Sequence, residues 1–291
     1  MSAISIETKK VTDLSAVSTI ADANIIPVHD GTGLKKITFA ALRQKAVEGT
    51  EAKVAPLLFN NAGAHNAIYR GKNLGTAVTT AQYNAIKNGT FEDLYIGDYW
   101  TIGGVNYRIA AFDYYLNMGD TSCGTHHAVI VPDTCLYNHV MNDTNITDGG
   151  YVGSKMYTEG LEQAKTTIKA AFSGHVLKHR VYLTNATTNG YASAGAWFDS
   201  EVDLMNENMV YGSAIFRPQN SLGATIPNSH MVEHSQLPLF ALDHSRICNR
   251  ATYWLRDVVT AAHFACVTSA GHANCNLAST SCGVRPAFCI S

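Results

Sequence analysis

No stretch of this 291-residue chain approaches 18 consecutive apolar residues, so no segment reads as a membrane span. Positive charge is scarce too: 21 Lys and Arg against 23 Asp and Glu give a formal net charge of -2, and no basic cluster stands out. Phosphate recognition needs such clusters, so nucleic acid is not an expected partner. Met1 to Lys10 have no apolar core, and a secretory leader is not expected. None of the seven cysteines forms a CxxC pair, and five of them (Cys248, Cys266, Cys275, Cys282, Cys289) crowd into the last 44 residues without metal-site spacing. Reduced thiols made in a cytoplasm are the expectation, in place of a zinc site or a disulfide framework. His126, His127 and His139 read as solvated loop and strand-edge histidines in place of metal ligands. A calcium site would need a carboxylate-rich loop, and Arg217-Pro-Gln-Asn220 offers amides and a cation. No metal or other cofactor is expected.

The most informative absence is local. From Asp243 to Ser291 there is no Lys, Glu, Gln or Met, although the first 242 residues hold 12, 9, 5 and 7 of them. At that rate the gap has odds of about one in a thousand, so solvation alone is a poor account of this segment. Randomising the two adenines of an AAC codon provides one. The third base stays C, which admits Asn, Thr, Ser, His, Cys, Ala, Leu, Arg, Tyr and Phe but never Lys, Glu, Gln, Met or Trp. The same bias explains the crowd of cysteines without metal or disulfide chemistry.

What is present falls into three regions. Residues 1–50 read as a small module, with β-prone runs at Asn24–Asp30 and Leu34–Phe39 around an Asp-Gly turn and a short helix over Ala40–Val47. Its apolar surface is too small to fold alone, which points to other copies or a docking partner. Residues 51–90 read as a connector with a helix over Thr79–Lys87 ending at Asn88-Gly89. From Phe91 the pattern becomes aromatic and turn-rich. Tyr99–Ile102 and Val105–Ile109 flank a Gly103-Gly104 turn, and His127–Val131 reads as a buried strand before Pro132. The Leu161, Ala164, Ile168, Ala171 and Phe172 stripe predicts a helix over Glu159–Phe172. A second helix is predicted over Ser200–Met209, with Val202, Met205 and Met209 inward. Beyond Tyr211 the chain reads as loops, with Pro218, Gly223, Pro227 and Pro238 as breakers. The fold class is α+β.

The block Trp254-Leu-Arg-Asp-Val258, the small residues Ala261, Ala265, Gly271, Ala273, Ala278 and Ser279, and the terminal Gly283-Val-Arg-Pro-Ala-Phe288 resemble the variable proteins of diversity-generating retroelements. The stretch Phe91-x-x-Leu-x-Ile-Gly-Asp-Tyr-Trp100 looks like the start of the phage and prophage version of that domain. The run Val11-Thr-Asp-Leu14, Ile25-Ile-Pro-Val28 and Lys36-Ile-Thr-Phe39 is similar to small attachment modules that open phage tail proteins. The resemblance implies a C-type-lectin-like fold over residues 91–291, related to the formylglycine-generating-enzyme fold, with a variable region at about 249–282. It implies a fixed scaffold of Trp254, Leu255, Arg256, Asp257, Phe264, Gly271, Gly283, Arg285 and Pro286. The changeable, ligand-binding positions would be Asn249, Arg250, Thr252, Tyr253, Thr260, His263, Cys266, Thr268, Ser269, Ala270, His272, Asn274, Cys275, Asn276, Leu277, Thr280 and Cys282.

The function so implied is attachment, without catalysis, by a receptor-binding protein (an adhesin) of a phage or prophage tail. It would be carried on the virion as a homo-oligomer, a trimer in the first instance. Its partners would be a bacterial surface protein or glycan and other tail proteins. Two alternatives stand beside it. One is an ordinary structural tail protein whose C-terminus is a Gly/Ala/Ser-rich loop. The other is a Cys-dependent oxidase of the formylglycine-generating type, which would need a thiolate poised beside a base or metal. Thiols at changeable positions suit that chemistry poorly.

Overall fold

A computed structural model describes residues 21, 23, 25–29, 32–47, 60–217 and 230–291. Val11–Leu14, the Asp30-Gly31 turn, residues 51–59, Pro218 to Asn220, Gly223 and Pro227 lie outside the described residues. The elements in chain order are β1 (Ile25–His29), β2 (Leu34–Thr38), α1 (39–47), α2 (Ala62–Asn66), α3 (Thr80–Lys87), β3 (Tyr99–Ile102), β4 (Val105–Phe112), β5 (Ala128–Pro132) and β6 (Tyr137–His139). They continue with α4 (Glu162–Ala171), β7 (His179–Thr188), β8 (Tyr191–Ser200), β9 (Val202–Leu204), α5 (Glu207–Tyr211) and α6 (Pro238–Leu242). The last strands are β10 (Tyr253–Val258), β11 (His263–Val267), β12 (Ala273–Leu277), β13 (Cys282–Val284) and β14 (Pro286–Ile290). The fold is α+β.

The chain divides into two units, residues 1–57 and 58–291. In the first, β1 and β2 pair antiparallel, Ile25 opposite Thr38 through His29 opposite Leu34, and α1 follows directly. Ile25, Leu42 and Val47 stay exposed, the apolar surplus expected of a module with too little chain for its own core.

The second unit holds two five-stranded sheets, ordered β12-β11-β10-β13-β6 and β3-β4-β5-β14-β9, and the separate β7–β8 hairpin. Its core includes the fully buried Trp100, Tyr107, Phe172, Trp254 and Phe288. The β3–β4 hairpin forms where the sequence predicts it, because Gly103 and Gly104 take φ of 59° and 82°, the left-handed pair that a tight two-residue turn requires. The chain crosses between the sheets at Arg285, which is 1% exposed. Its guanidinium donates to the carbonyls of Pro132 (2.8 Å) and Ile247 (3.4 Å) and to the Tyr253 hydroxyl (3.2 Å), so the buried charge is well supplied with acceptors.

Residues 60–90 are an integral part of this unit, where the sequence suggested a connector. Buried Asp98 accepts from Arg70 and from the Lys72 and Tyr95 amides (2.8 and 2.9 Å), which ties the segment to β3. Helix α3 opens on a Thr79–Gln82 capping box, and Gln82 also accepts from the Trp100 indole at 3.1 Å. The predicted Glu159–Phe172 helix is realised as a π-helical turn over Met156–Gly160 followed by α4, with Leu161, Ala164, Ile168 and Phe172 buried. The Ser200–Met209 helix is corrected. Val202–Leu204 is a strand paired with β14, and Asn206 then caps the short α5 by accepting from the Met209 amide at 2.7 Å. Val202, Met205 and Met209 are buried as expected, on two elements instead of one.

Two buried histidines give the fold an acid limit. His179 is 7% exposed, its ring lies tilted against Tyr115 with centroids 4.1 Å apart, and its Nε2 has no hydrogen-bond partner. Burial pushes its pKa down to about 4, and burial lowers His127 as well. Above pH 6.5 both rings are neutral in the folded and unfolded chain, and the fold keeps its full stability. As pH falls from 6.5 toward 4, the unfolded chain takes up a proton at His179 that the folded chain refuses, so roughly 3 kcal/mol drains away. Denaturant melts of the wild type and His179→Gln should therefore converge below neutrality, the variant having the shallower pH dependence. Parallel curves from pH 7 to 4 would refute this assignment.

Candidate ligand-binding face

The segment 249–282 builds one side of the first sheet. Strand β10 is buried along its whole length between β11 and β13. Strand β11 pairs antiparallel with it, across a bulge between Trp254 and Val258. Strand β12 closes the sheet as an edge, with His263 opposite Leu277 and Cys266 opposite Asn274. Cover therefore thins outward from β10 to β12 and the adjoining loops.

Trp254, Leu255, Arg256, Asp257, Phe264, Gly283, Arg285 and Pro286 are buried, and Gly271 is half-buried. The Trp254 indole donates to the His139 carbonyl at 2.9 Å. Gly283 leaves no room for a side chain, since a Cβ there would sit 2.2 Å from the Cys135 sulfur. Asp257 and Arg285 do not pair with each other. Asp257 accepts from the Glu207 amide at 2.6 Å and lies 3.4 Å from Arg217, while Arg256 lies 3.8 Å from the buried Glu233.

Of the changeable positions, Arg250, Thr260, Ser269, Ala270, His272, Asn274 and Leu277 are exposed. Asn249, Thr252, His263, Thr268, Cys275, Asn276 and Thr280 are half-buried. Tyr253, Cys266 and Cys282 are corrected, for they are buried and cannot touch a ligand directly. Cys266 stands opposite Trp254 and shares its core-facing side. The Tyr253 hydroxyl donates to the Ile247 carbonyl at 2.9 Å. Burial pushes the Cys266 thiol up to about 12 and also raises Cys282, so both stay protonated at neutral pH. Among the described residues, no group of three or more His, Cys, Asp or Glu is placed to hold a metal ion. Nor is any described helix long and apolar enough to cross a membrane.

The rest of the fold holds this segment by its main chain. The Thr147 hydroxyl donates to the Thr260 carbonyl (2.9 Å), the Met141 and Asn142 amides to the Ala278 carbonyl (2.9 Å each), and the Tyr211 hydroxyl to the Gly271 carbonyl (3.1 Å). At the edge, the Asn274 and Asn276 side chains accept from the Cys275 and Leu277 amides (2.9 and 3.2 Å). They occupy N–H groups that would otherwise solicit another strand.

Several functional groups gave no sequence signal. Glu207, fully buried, accepts from the amides of Ile215, Phe216 and Arg217 at 2.9–3.0 Å and holds that loop beside the segment. Its charge also helps raise the Cys266 and Cys275 thiols. Ile215 and Phe216 themselves remain exposed. Thr147 and Tyr211 likewise sit in stretches with no motif.

A family model described as a domain of unknown function (DUF6273) matches residues 178–291. The match runs from the foot of β7 to the last residue and so contains the whole segment 249–282. It contains neither five-stranded sheet whole, because β14 pairs with β5 and β13 with β6, both upstream of it. No curated protein matches the chain, and no solved structure does.

Proposed function

We propose that residues 58–291 form a C-type-lectin-like receptor-binding domain of a phage or prophage tail protein, and that segment 249–282 presents a changeable surface to a bacterial surface protein or glycan. What carries the reading is the way the segment is held. Its anchors are the Thr260, Gly271 and Ala278 carbonyls, which every replacement side chain leaves in place. Recognition can then change without refolding. Fourteen of the seventeen changeable positions keep their side chains at least partly exposed, which also favours it. The first unit would gather copies, as a trimer, or dock them on the tail, and repeated copies would multiply weak contacts into avidity. A thiolate oxidase is disfavoured, since Cys266 and Cys282 are protonated by burial.

Sequencing the gene from many isolates tests the reading. Substitutions should concentrate at the exposed and half-buried positions, with Trp254, Asp257, Gly283 and Arg285 unchanged. At Tyr253 and Cys266, only residues that fit a buried site should survive. A neighbouring template copy should carry AAC at the changing codons, beside a reverse transcriptase gene. An even spread of substitutions over 91–291 would overturn the proposal.

A further inference from the structure

Three exposed apolar residues stand on chain segments that meet at one end of the changeable segment, and two of them lie outside it. Ile146, 46% exposed, sits between two residues that clamp the segment: Asn145, whose side-chain oxygen accepts from the Ser279 amide and hydroxyl (3.2 and 2.7 Å), and Thr147, which donates to the Thr260 carbonyl. Tyr191, 51% exposed, follows Gly190 at the tip of the β7–β8 hairpin. That tip lies so close to the β10–β11 turn that a Cβ on Gly190 would be 2.4 Å from the Ala261 nitrogen. Thr187 near the tip donates to the Thr147 carbonyl at 3.3 Å, so the hairpin and the 141–148 loop brace each other. The third, Leu277, is 39% exposed and stands opposite His263, whose ring lies 2.8 Å from the Thr260 hydroxyl.

We propose that Ile146 and Tyr191 form a constant apolar rim beside Thr260, His263 and Leu277, and that this end of the face receives an apolar side chain from an extended segment of a partner protein. The inference rests on reading 249–282 as the binding face and names the partner class for it. Charge decides between kinds of partner. Residues 141–148, 187–191, 259–263 and 276–280 contain no Lys or Arg, and their carboxylates are Asp143, ion-paired with Lys155 at 2.7 Å, and Asp148. A phosphate-bearing cell-wall polymer or lipid headgroup would find no Lys or Arg within these segments, Lys155 being engaged by Asp143, and would face the Asp148 carboxylate. A neutral, apolar protein segment meets aliphatic and aromatic surface edged by Thr and Asn, the composition of a protein-binding hot spot. The rim side chains come from a loop that is hydrogen-bonded to the segment and from a hairpin braced on that loop, so they keep their places whatever stands at position 277. Variation then retunes specificity around a fixed apolar contact.

The test uses the full chain, immobilised, to select binders from a random dodecapeptide library displayed on filamentous phage. Selected peptides should be rich in Leu, Ile, Phe or Trp. Their affinity for Tyr191→Ser and Ile146→Ser should fall at least about tenfold, with melting temperatures unchanged and Ile68→Ser, an exposed apolar residue of another segment, without effect. Peptides that lose binding on His272→Ala and Ser269→Ala but not on the rim variants would remove the rim and leave the face standing. Peptides indifferent to both sets would remove both. Failure to select any peptide, or Tyr191-dependent binding of a neutral oligosaccharide array instead, would overturn the assignment of a protein partner.

Discussion

Trp254→Ala should lower the stability of the chain by about 3–5 kcal/mol, a large share of what a domain of this size possesses. The side chain is fully buried at the centre of the first sheet, opposite Cys266, and its indole N–H is the donor that ties β10 to the His139 carbonyl. Truncation therefore removes a large apolar volume and leaves a buried carbonyl short of a partner. His272→Ala and Leu277→Ala, by contrast, should melt within ~0.5 kcal/mol of wild type, because both side chains are exposed and neither side chain carries an anchor of the segment. Host-cell attachment should follow the opposite order, lost in these two variants and retained by any Trp254 variant that is still folded at low temperature. Chemical denaturation and cell binding of the same three proteins check both halves. Face variants that unfold while Trp254→Ala melts normally would mean that scaffold and face are exchanged.

The second large effect is expected at Glu207. Its carboxylate is the shared acceptor for three consecutive amides, while its own amide donates to the buried Asp257. Glu207→Ala strips the acceptor from all three at once. Ile215 and Phe216 are partly solvated already, so water recovers some of the loss, and a net cost of roughly 2–3 kcal/mol follows. The loop should also lose its fixed place, and chymotrypsin should then cut after Phe216, whose amide the carboxylate holds in the wild type while Asn208 and Asp257 hold the neighbouring Arg217. Glu201→Ala is the control, since its ion pair with Lys169 is solvent-exposed and worth little. If Glu207→Ala resists chymotrypsin as well as wild type does, the loop is held by something other than this carboxylate.

The elements legible in the sequence were those whose cause is local. Gly103-Gly104 sets the β3–β4 hairpin by backbone conformation alone, and the stripe from Leu161 to Phe172 sets α4 by its own period. The stretch from Ser200 to Met209 has helical spacing too, but Val202–Leu204 is recruited by β14 more than 80 residues away, and strand pairing won. The same limit governs the site. Codon reach and residue type single out the segment 249–282, yet they treat Cys266 and His272 alike. Only the register of β11 against β10 sends the first into the core. Glu207, Ile146 and Tyr191 carry no motif: the first acts on loop amides eight to ten residues ahead, and the other two stand on segments joined to residues tens of positions distant.

The main-chain clamps at Thr260, Gly271 and Ala278 have a consequence for rates. A segment whose backbone is already ordered before encounter loses little conformational freedom when it docks, whichever side chains it happens to carry. Clones that differ across 249–282 should then approach their targets with similar association rate constants. Their discrimination should reside in how long each complex survives, so that selection on this face acts chiefly on residence time.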